Sequence, residues 1–414
     1  MCGLACAEPT HGPPTNGPDL NTTPSTLIES FGRRVRLGMV GGGLDSVIGD
    51  THRVALRADG LCELVAGAMS IDPEVARSTG RADLMDPERV HLDYSDMARA
   101  EANRQDGIDA VIIATPPNTH LAVAEEFLSQ GIDVICEKPL VKDLDEADLL
   151  VAAVEKSGQT LVLTHCYTGY PMVREARAIV EDGLLGPIRL VEAQFAGGDP
   201  GVAREPNDSA TRHWRFRPDV VGPSAILGEV GSHAHNIVNY VTGLSVTDVS
   251  AQMDTIAARR DVYDNAYLNV RFDSGAIGRI WSSYVAIGNE HGLSFTIIGD
   301  DASISWRQEQ PESLRVAPID GPAHYRTRGM DGSSKDALES ARFRPGHPEG
   351  YAMAFANLYR DYATARMLTG VGLGDEAQRV LDRLPSVSDG RHVMSLIAAA
   401  DASRAANGKW TPLR

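Results

Sequence analysis

Two side chains suited to proton transfer lie four residues apart, within the segment Gly228-Glu-Val-Gly-Ser-His-Ala-His-Asn236. Residues at this spacing share one face of a helix, so Glu229 and His233 can both point at one ligand. The imidazole of histidine has an ordinary pKa of about 6.5, closer to neutrality than that of a carboxyl group, which makes His233 the candidate for proton transfer. A buried histidine that caps the helix is the alternative interpretation of the same pattern.

A metal site is a second chemistry that this segment could suggest, because His235 follows two residues after His233. Residues two apart on a helix diverge by about 200°, so the two imidazoles cannot easily share one ion. The five cysteines are scattered, and Cys2 and Cys6 lack a partner pair at zinc-finger spacing. We therefore expect no metal, and reduced thiols of the kind typical of a cytoplasmic enzyme.

A glycine-rich turn is the third feature with a chemical use. The apolar run Val35–Val40 leads into Gly41-Gly42-Gly43, and a helix is expected to follow. A dinucleotide site needs such a turn, since backbone N–H groups and a helix N-terminus must approach a pyrophosphate closely. Gly41, Gly43 and Gly49 would supply it, although five residues separate the second and third of these glycines instead of the usual two. The pattern alone also allows a turn that merely reverses the chain.

The elements that must position these residues predict two domains of different classes after a flexible tail over residues 1–33. Strands and helices alternate over residues 34–165, and runs such as Ala110–Ala114 are apolar throughout, which indicates a doubly wound (Rossmann) parallel sheet in an α/β domain. Over residues 166–414 several segments alternate apolar and polar residues between turn signals, which indicates an α+β domain with a large, mostly antiparallel sheet. The last two helical stretches are expected to pack back on one of the two domains.

Polar segments follow the buried strands at the edge where the ligand crevice of such a sheet opens. Thr115-Pro-Pro-Asn-Thr-His120 follows one strand, and Glu137-Lys138-Pro139 follows the next. Together with Ile48-Gly-Asp-Thr-His52, Ser224–Asn236 and His347-Pro-Glu-Gly350, they resemble the Gfo/Idh/MocA family of NAD(P)-dependent sugar and cyclitol oxidoreductases, from about Arg36 onward. The resemblance implies a dinucleotide-binding domain followed by a domain for substrate binding and oligomerisation. It assigns cofactor contacts to Gly41, Gly43, Gly49, Ser70, Thr115, Pro116, Asn118, His120, Glu137 and Lys138.

The same resemblance implies three catalytic residues, Lys138, His233 and Glu229. The lysine of Glu-Lys-Pro lies beside the nicotinamide in that family, so Lys138 would hydrogen-bond the substrate hydroxyl and stabilise a developing alkoxide. A surface lysine in a tight turn is the alternative. Glu229 stands where the family usually has Asp, and its extra methylene moves the carboxylate by about one bond length. It therefore either contacts the substrate as Asp does, orients His233, or serves other chemistry.

A polar loop after the last parallel strand is expected to contribute substrate contacts. The segment Leu163–Pro171 stands where the family brings such a loop into the pocket, so the resemblance makes His165 and Tyr167 candidates for binding the substrate. A buried aromatic hinge between the two domains is the alternative. Asn236, at the end of the segment that contains His233, joins the same predicted set.

Positive charge is concentrated over Arg204–Arg217 in a chain whose net charge is −17. Guanidinium groups bind carboxylate, phosphate or sulfonate in a bidentate way, and an indole can stack on a sugar face. These residues hint at an anionic glycoside, and ordinary surface ion pairs are the alternative. The predicted substrate contacts from this segment are Arg212, His213, Trp214 and Arg215.

The end of the second strand decides between NAD and NADP. NAD-selective sites usually carry an acid there, whereas this chain has Met69-Ser70, with Asp72 beyond reach. Ser70 could tolerate a 2′-phosphate, but no arginine adjoins it to hold one. NAD is therefore the favoured cofactor, and NADP is not excluded.

Three functions are compatible with these residues. The first is hydride transfer between a nicotinamide cofactor and a secondary hydroxyl of a sugar, glycoside or cyclitol. The second is an NAD-dependent glycosidase, which oxidises, eliminates, hydrates and reduces again, acting on an anionic glycoside such as a sulfoquinovoside. The third, a non-catalytic dinucleotide sensor, would leave Lys138 and His233 idle.

Composition narrows the partners to small molecules and copies of the same chain. A net charge of −17 works against binding nucleic acid or anionic lipid. No apolar run approaches the roughly 20 residues that cross a bilayer. Apolar residues such as Leu268 and Ile277 occupy both alternations of the predicted antiparallel strands, which indicates a sheet whose second face is covered by another subunit in a homodimer or homotetramer.

Overall fold

The computed structural model describes residues 24–44, 46–198, 214–222, 224–257 and 260–414. Its first half alternates strands and helices, as the apolar runs predicted. The strands are β1 (Val35–Gly41), β2 (Cys62–Ala68), β3 (Ala110–Ala114), β4 (Asp133–Cys136) and β5 (Leu161–Leu163). The helices are α1 (Pro24–Phe31), α2 (Val47–Arg57), α3 (Pro73–Ala82), α4 (Tyr94–Ala102), α5 (His120–Ser129) and α6 (Leu144–Ser157).

The five strands form one parallel sheet in the order β2-β1-β3-β4-β5. Every residue of β3 and β4 is buried, which explains why these strands are apolar or nearly so throughout. The order reverses between β1 and β3, so the ligand crevice opens at the carboxyl ends of these two strands. The doubly wound parallel sheet is confirmed.

The second sheet of the described chain has nine strands in the order β13-β12-β11-β10-β6-β9-β8-β7-β14. Neighbours run antiparallel except β6 and β9, which are parallel. Inward residues such as Leu268 alternate with outward ones such as Tyr267, so one face packs on helices and the other lies open. The strands are β6 (Ile188–Ala196), β7 (Val246–Asp254), β8 (Asn265–Phe272), β9 (Ile277–Ser283), β10 (Leu293–Gly299), β11 (Ala302–Arg307), β12 (Ser313–Pro318), β13 (His324–Thr327) and β14 (Thr411–Pro412).

Two long helices at the end of the chain contact both domains. The helices after β5 are α7 (Pro171–Glu181), α8 (Pro218–Val221), α9 (Ser232–Thr242), α10 (Lys335–Ser340), α11 (Tyr351–Gly370), α12 (Gly374–Leu381) and α13 (Val387–Ala405). Helix α11 packs on α2 and on the turn Cys166–Gly169, and α13 packs on α6 and β7. The prediction that these helices pack on only one of the two domains is therefore wrong, because they contact both. Across the described ranges, no helix has the length and apolar character needed to cross a bilayer.

The predicted tail is wrong for its last part, because α1 is a helix packed against α11. Leu27 is buried, and Ile28 and Phe31 pack against the same apolar core. These side chains form a short apolar stripe on one face of α1. The proline-rich residues before it led us to predict a flexible tail over the whole segment. The rest of the predicted tail, residues 1–23, lies outside the described residues.

Candidate active site

The turn between β1 and α2 has the geometry of a pyrophosphate cradle. Gly41 and Gly42 have φ values of 73° and 66°, in the left-handed region that glycine adopts without strain. A Cβ added to Gly49 would lie 2.3 Å from the carbonyl oxygen of Gly42, so α2 packs directly on the turn. The N-terminus of α2 lies at this turn, where the helix dipole favours an anion, and Oγ of the N-cap Ser46 accepts from the backbone N–H of Gly49 at 3.3 Å. The residues fit a dinucleotide, with Gly42 making the close approach to Gly49 and Gly43 following it in the turn.

A buried arginine stabilises the glycine turn between β1 and α2 through a hydrogen bond. Arg53 lies on α2, and its Nη2 donates to the carbonyl oxygen of Gly42 at 2.7 Å. Its Nε donates to Asp83 at 2.7 Å, and Asp83 is the C-cap residue that follows α3. The prediction from sequence missed Arg53, although a positive charge one helical turn after Gly49 was the available signal.

Ser70 carries a hydroxyl group just beyond the end of β2. Ser70 is half-buried, and its Oγ accepts from the backbone N–H of Asp72 at 3.1 Å. Asp72 is the N-cap of α3 and accepts from the backbone N–H groups of Glu74 and Val75. Its carboxylate is therefore used in capping α3.

The loops after β3 and β4 are joined by His120. Its Nε2 lies 2.8 Å from the carbonyl oxygen of Thr115, and its Nδ1 lies 3.1 and 3.2 Å from those of Pro139 and Leu140. The ring is fully buried, and this burial lowers the pKa of His120. We therefore assign His120 a supporting role in place of the predicted cofactor contact. Pro116 is half-buried, like Thr115, and Asn118 is exposed, so these three lie at the surface of the crevice.

Glu137 lies beneath the next loop, buried between residues of three elements. Thr164 Oγ1 donates to its Oε1 at 2.6 Å, and the backbone N–H of Lys138 donates to its Oε2 at 3.2 Å. His52 of α2 places Nε2 3.3 Å from Oε1, and Nδ1 of the same ring lies 2.6 Å from the hydroxyl of Tyr359 on α11. Burial would raise the pKa of Glu137, but the contact with His52 and the charge of Lys138 lower it to about 2.

Lys138 reaches across the crevice to Glu229. Its Nζ donates to Oε2 of Glu229 at 3.3 Å and to the carbonyl oxygen of Glu229 at 3.2 Å. Glu229 lies in a wide helical turn, Leu227–Gly231, that leads into α9. Arg215 donates from Nε to the same Oε2 at 3.1 Å and stacks on the indole ring of Trp214 at 4.7 Å. Although burial would raise the pKa of Glu229, the charges of Lys138 and Arg215 lower it.

A cluster of aromatic and imidazole rings forms the wall next to Lys138. Nδ1 of His233 lies 3.1 Å from Nδ1 of His165, and the ring of Tyr167 packs edge-on against His233 at 4.7 Å. The hydroxyl of Tyr167 lies 2.9 Å from Nε2 of His291, which stacks on Phe195 at 4.3 Å. His165, Tyr167 and His233 thus lie together. His291, in the loop before β10, was missed because no neighbouring residue in the sequence marks it.

Burial keeps these histidines neutral at pH 7. It lowers the pKa of His165 to about 3 and the pKa of His291 to about 4. Burial, with further contributions from His165 and Lys138, takes the pKa of His233 well below its ordinary value. Each ring can therefore accept one hydrogen bond and donate one, as a polyol requires.

The remaining predicted residues lie elsewhere. His235 points at the ring of His392, 5.0 Å away, and not at His233. Asn236 is buried and lines a separate cavity with Tyr240 and Pro385. Arg212 and His213 lie outside the described residues. Within those residues, no three His, Cys, Asp or Glu side chains are grouped to hold a metal ion.

Comparison with known proteins relates this geometry to that of oxidoreductases. Residues 35–165 match the NAD-binding Rossmann fold of an oxidoreductase family, and residues 173–305 match the GFO/IDH/MocA C-terminal domain. The uncharacterized oxidoreductase YfiI of Bacillus subtilis (strain 168) is 33% identical over 334 residues, which is 80% of this chain and 85% of that protein.

Two crystal structures of an inositol dehydrogenase homolog from Azotobacter vinelandii share the fold. The complex with NAD+ has a TM-score of 0.85 at 36% identity, covering 92% of this chain and 97% of that one. The complex with NADH and myo-inositol has a TM-score of 0.82 at 35% identity, with the same coverage. The similarity therefore extends over both domains.

Proposed function

This chain belongs to the Gfo/Idh/MocA family of NAD-binding oxidoreductases, and from that premise we propose that it oxidises a secondary hydroxyl group of a neutral cyclitol or sugar. The observation that carries the proposal is the ion pair of Lys138 with Glu229 beside the crevice of the parallel sheet, next to the cluster of rings that contains His233. A cation, an anion and a neutral imidazole are thereby available to one hydroxyl group.

The cofactor would lie across the carboxyl ends of the strands, held by the glycine turn and by the loops after β3 and β4. NAD+ supplies the hydride acceptor when it is bound. Gly41, Gly42 and Gly49 would hold the pyrophosphate, and Ser70 would lie at the adenosine ribose. Thr115 and Lys138 would border the nicotinamide half.

Lys138 and His233 divide the handling of the hydroxyl group. The ammonium of Lys138 donates a hydrogen bond to the substrate oxygen and stabilises the negative charge that develops on it. When Nδ1 of His233 donates to Nδ1 of His165, which lies 3.1 Å away, Nε2 is the nitrogen left to accept the hydroxyl proton. Glu229 positions Lys138 through the contact at 3.3 Å.

The charges at the site favour a neutral substrate. Glu229 contacts both Lys138 and Arg215, so it offsets positive charge that would otherwise attract an anion. Beyond them lie neutral groups, His165, Tyr167 and His291, which hydrogen-bond to hydroxyl groups. The solved relative with bound myo-inositol is consistent with a ring that carries many hydroxyl groups.

An NAD-dependent glycosidase is the second candidate, and Arg215 is the observation that favours it. This guanidinium is partly exposed beside the indole of Trp214, where a sugar ring and an anionic group could both bind. The reaction would return its hydride, so no NADH would accumulate.

One assay distinguishes the two candidates. The protein is incubated with NAD+ and either cyclitols and sugars or aryl glycosides, and both NADH absorbance and aglycone release are followed. We expect NADH to form in proportion to the oxidised polyol. Aglycone release that exceeds NADH, with exchange of the ring hydrogen for solvent deuterium, would replace the dehydrogenase with the glycosidase.

A further inference from the structure

Glu137 is a buried charge that the proton-transfer steps do not use. Glu137 is only 7% exposed, and it directly precedes Lys138 at the carboxyl end of β4. Thr164, the backbone N–H of Lys138 and His52 surround its two oxygens. A carboxylate with this many partners is held in place and is not available to move a proton.

His52 lies against this carboxylate, and Tyr359 lies against His52. Nε2 of His52 lies 3.3 Å from Oε1 of Glu137 without forming a hydrogen bond, and Nδ1 lies 2.6 Å from the hydroxyl of Tyr359. Burial raises the pKa of Tyr359 well above its ordinary value, so its hydroxyl remains a donor. Tyr359, His52 and Glu137 are thus packed side by side in the buried space beneath the crevice.

The strand order places Glu137 under the nicotinamide half of the cofactor. The sheet runs β2-β1-β3-β4-β5, with the pyrophosphate turn after β1. The adenosine ribose binds toward the end of β2 in such sheets, so the other half of the dinucleotide lies over β3 and β4. Glu137 is the first residue after β4.

The charges around this position balance with Glu137 ionised. Lys138 and Arg215 contribute two positive charges, and Glu137 and Glu229 contribute two negative ones. Burial keeps His165, His233 and His291 neutral at pH 7. Removing the charge of Glu137 would leave the group with a net positive charge beside a nicotinamide ring that is positive only in its oxidised form.

We propose that Glu137, held by His52 and Tyr359, makes the protein bind NAD+ in preference to NADH and so biases the bound cofactor towards its oxidised form. The proposal rests on the proposed function, because it concerns the cofactor site of the same reaction. It adds a role for two residues, His52 and Tyr359, that touch neither the cofactor nor the substrate.

The test measures the dissociation constants of NAD+ and NADH separately, by calorimetry, for the full chain. In Glu137→Gln the ratio of the NAD+ constant to the NADH constant should rise about fivefold or more, since an isosteric neutral group removes only the charge. His52→Gln and Tyr359→Phe should move the ratio in the same direction by a smaller factor.

Tyr362→Phe is the matched control on α11, because its hydroxyl donates to Asp133 at 2.9 Å at the opposite end of the sheet. Its ratio should equal that of the parent.

Two results would overturn the proposal. One is an equal weakening of NAD+ and NADH in Glu137→Gln, which would show a purely structural role. The other is an unchanged ratio of the two dissociation constants in both Glu137→Gln and His52→Gln. If Glu137→Gln does not fold, an unchanged ratio in His52→Gln is by itself enough to overturn the proposal. Failure of the parent protein to bind either cofactor would instead contradict the proposed function, so the two failures are distinguishable.

Discussion

Lys138 combines a tight hydrogen-bonding environment with a position at the open crevice. Its ammonium is held by the carbonyl and carboxylate oxygens of Glu229, so it is positioned before any substrate arrives. Glu229 in turn contacts Arg215, and this second partner limits where its longer side chain can lie. The substitution of Glu for the family's usual Asp is thus accommodated by a contact with Lys138 that remains within hydrogen-bonding distance.

Removing either proton-handling residue should abolish most of the activity. We expect Lys138→Ala and His233→Ala each to lower turnover about a hundredfold or more, since positioned acid–base groups contribute on that order. NADH formation at saturating substrate is the measurement, with circular dichroism to verify folding. Lys142→Ala is the matched control, because this lysine is four residues away and pairs with Glu146 at 2.6 Å on the surface. Parental turnover in a folded Lys138→Ala or His233→Ala variant would contradict the assignment.

The glycine turn and α2 act as one element in holding the cofactor. A Cβ on Gly49 would meet the carbonyl oxygen of Gly42 at 2.3 Å, and both groups are backbone, so α2 itself must shift. Gly49→Ala should therefore weaken NAD+ binding about tenfold, which corresponds to about 1.4 kcal/mol. Gly374→Ala is the control, since nothing lies within 4 Å of its added Cβ. Calorimetric titration would reveal the difference, and equal affinities for the two variants would contradict this packing argument.

The elements that the sequence predicted well are those whose residues carry a local pattern. Continuous apolar runs identified strands such as Ala110–Ala114, and alternation identified strands such as Asn265–Phe272. The contact of His52 with Tyr359 joins residues 307 positions apart, and no local pattern records it. Arg53 and His291 were missed for a related reason, since their partners come from other elements.

At the scale of the whole molecule, the buried histidines make the free energy of unfolding depend on pH. The pKa of His165 is lowered by burial to about 3 and that of His291 to about 4, whereas the unfolded chain binds these protons near pH 6.5. The unfolded state thus binds more protons between these values, and stability is lost as pH falls from 6.5 toward 4. Each group costs up to about 1.4 kcal/mol per pH unit in that window.

Denaturation by urea at pH 7.0, 5.5 and 4.5 would measure this loss. We expect the unfolding free energy to decrease steadily across the series, with a smaller slope in His291→Gln, which removes one titrating group. A free energy that is constant from pH 7.0 to 4.5 would contradict the neutral state of these rings.

The open face of the nine-stranded sheet predicts self-association. Ile277 on β9 is 53% exposed and is paired with exposed Leu190 on β6, and exposed Tyr267 is paired with Trp281 further along β9. We propose that a second subunit covers this face, and light scattering should then give a mass at least twice 44.4 kDa. Ile277→Glu should shift the population to monomers, whereas Ile256→Glu, at a residue that is 62% exposed outside the strands, should not. A monomeric parent at micromolar concentration would contradict the prediction.

The packing of α11 on α2 has a consequence for biosynthesis. His52 of α2 meets Phe355 and Tyr359 of α11, so the dinucleotide-binding half is completed by a helix made much later. Roughly 190 residues separate the end of β5 from the start of α11. At translation rates of about 5–20 residues per second, the ribosome needs about 10–40 s to supply them. During that interval the nascent domain exposes the apolar surface of α2, and it is then a target for chaperones that bind growing chains.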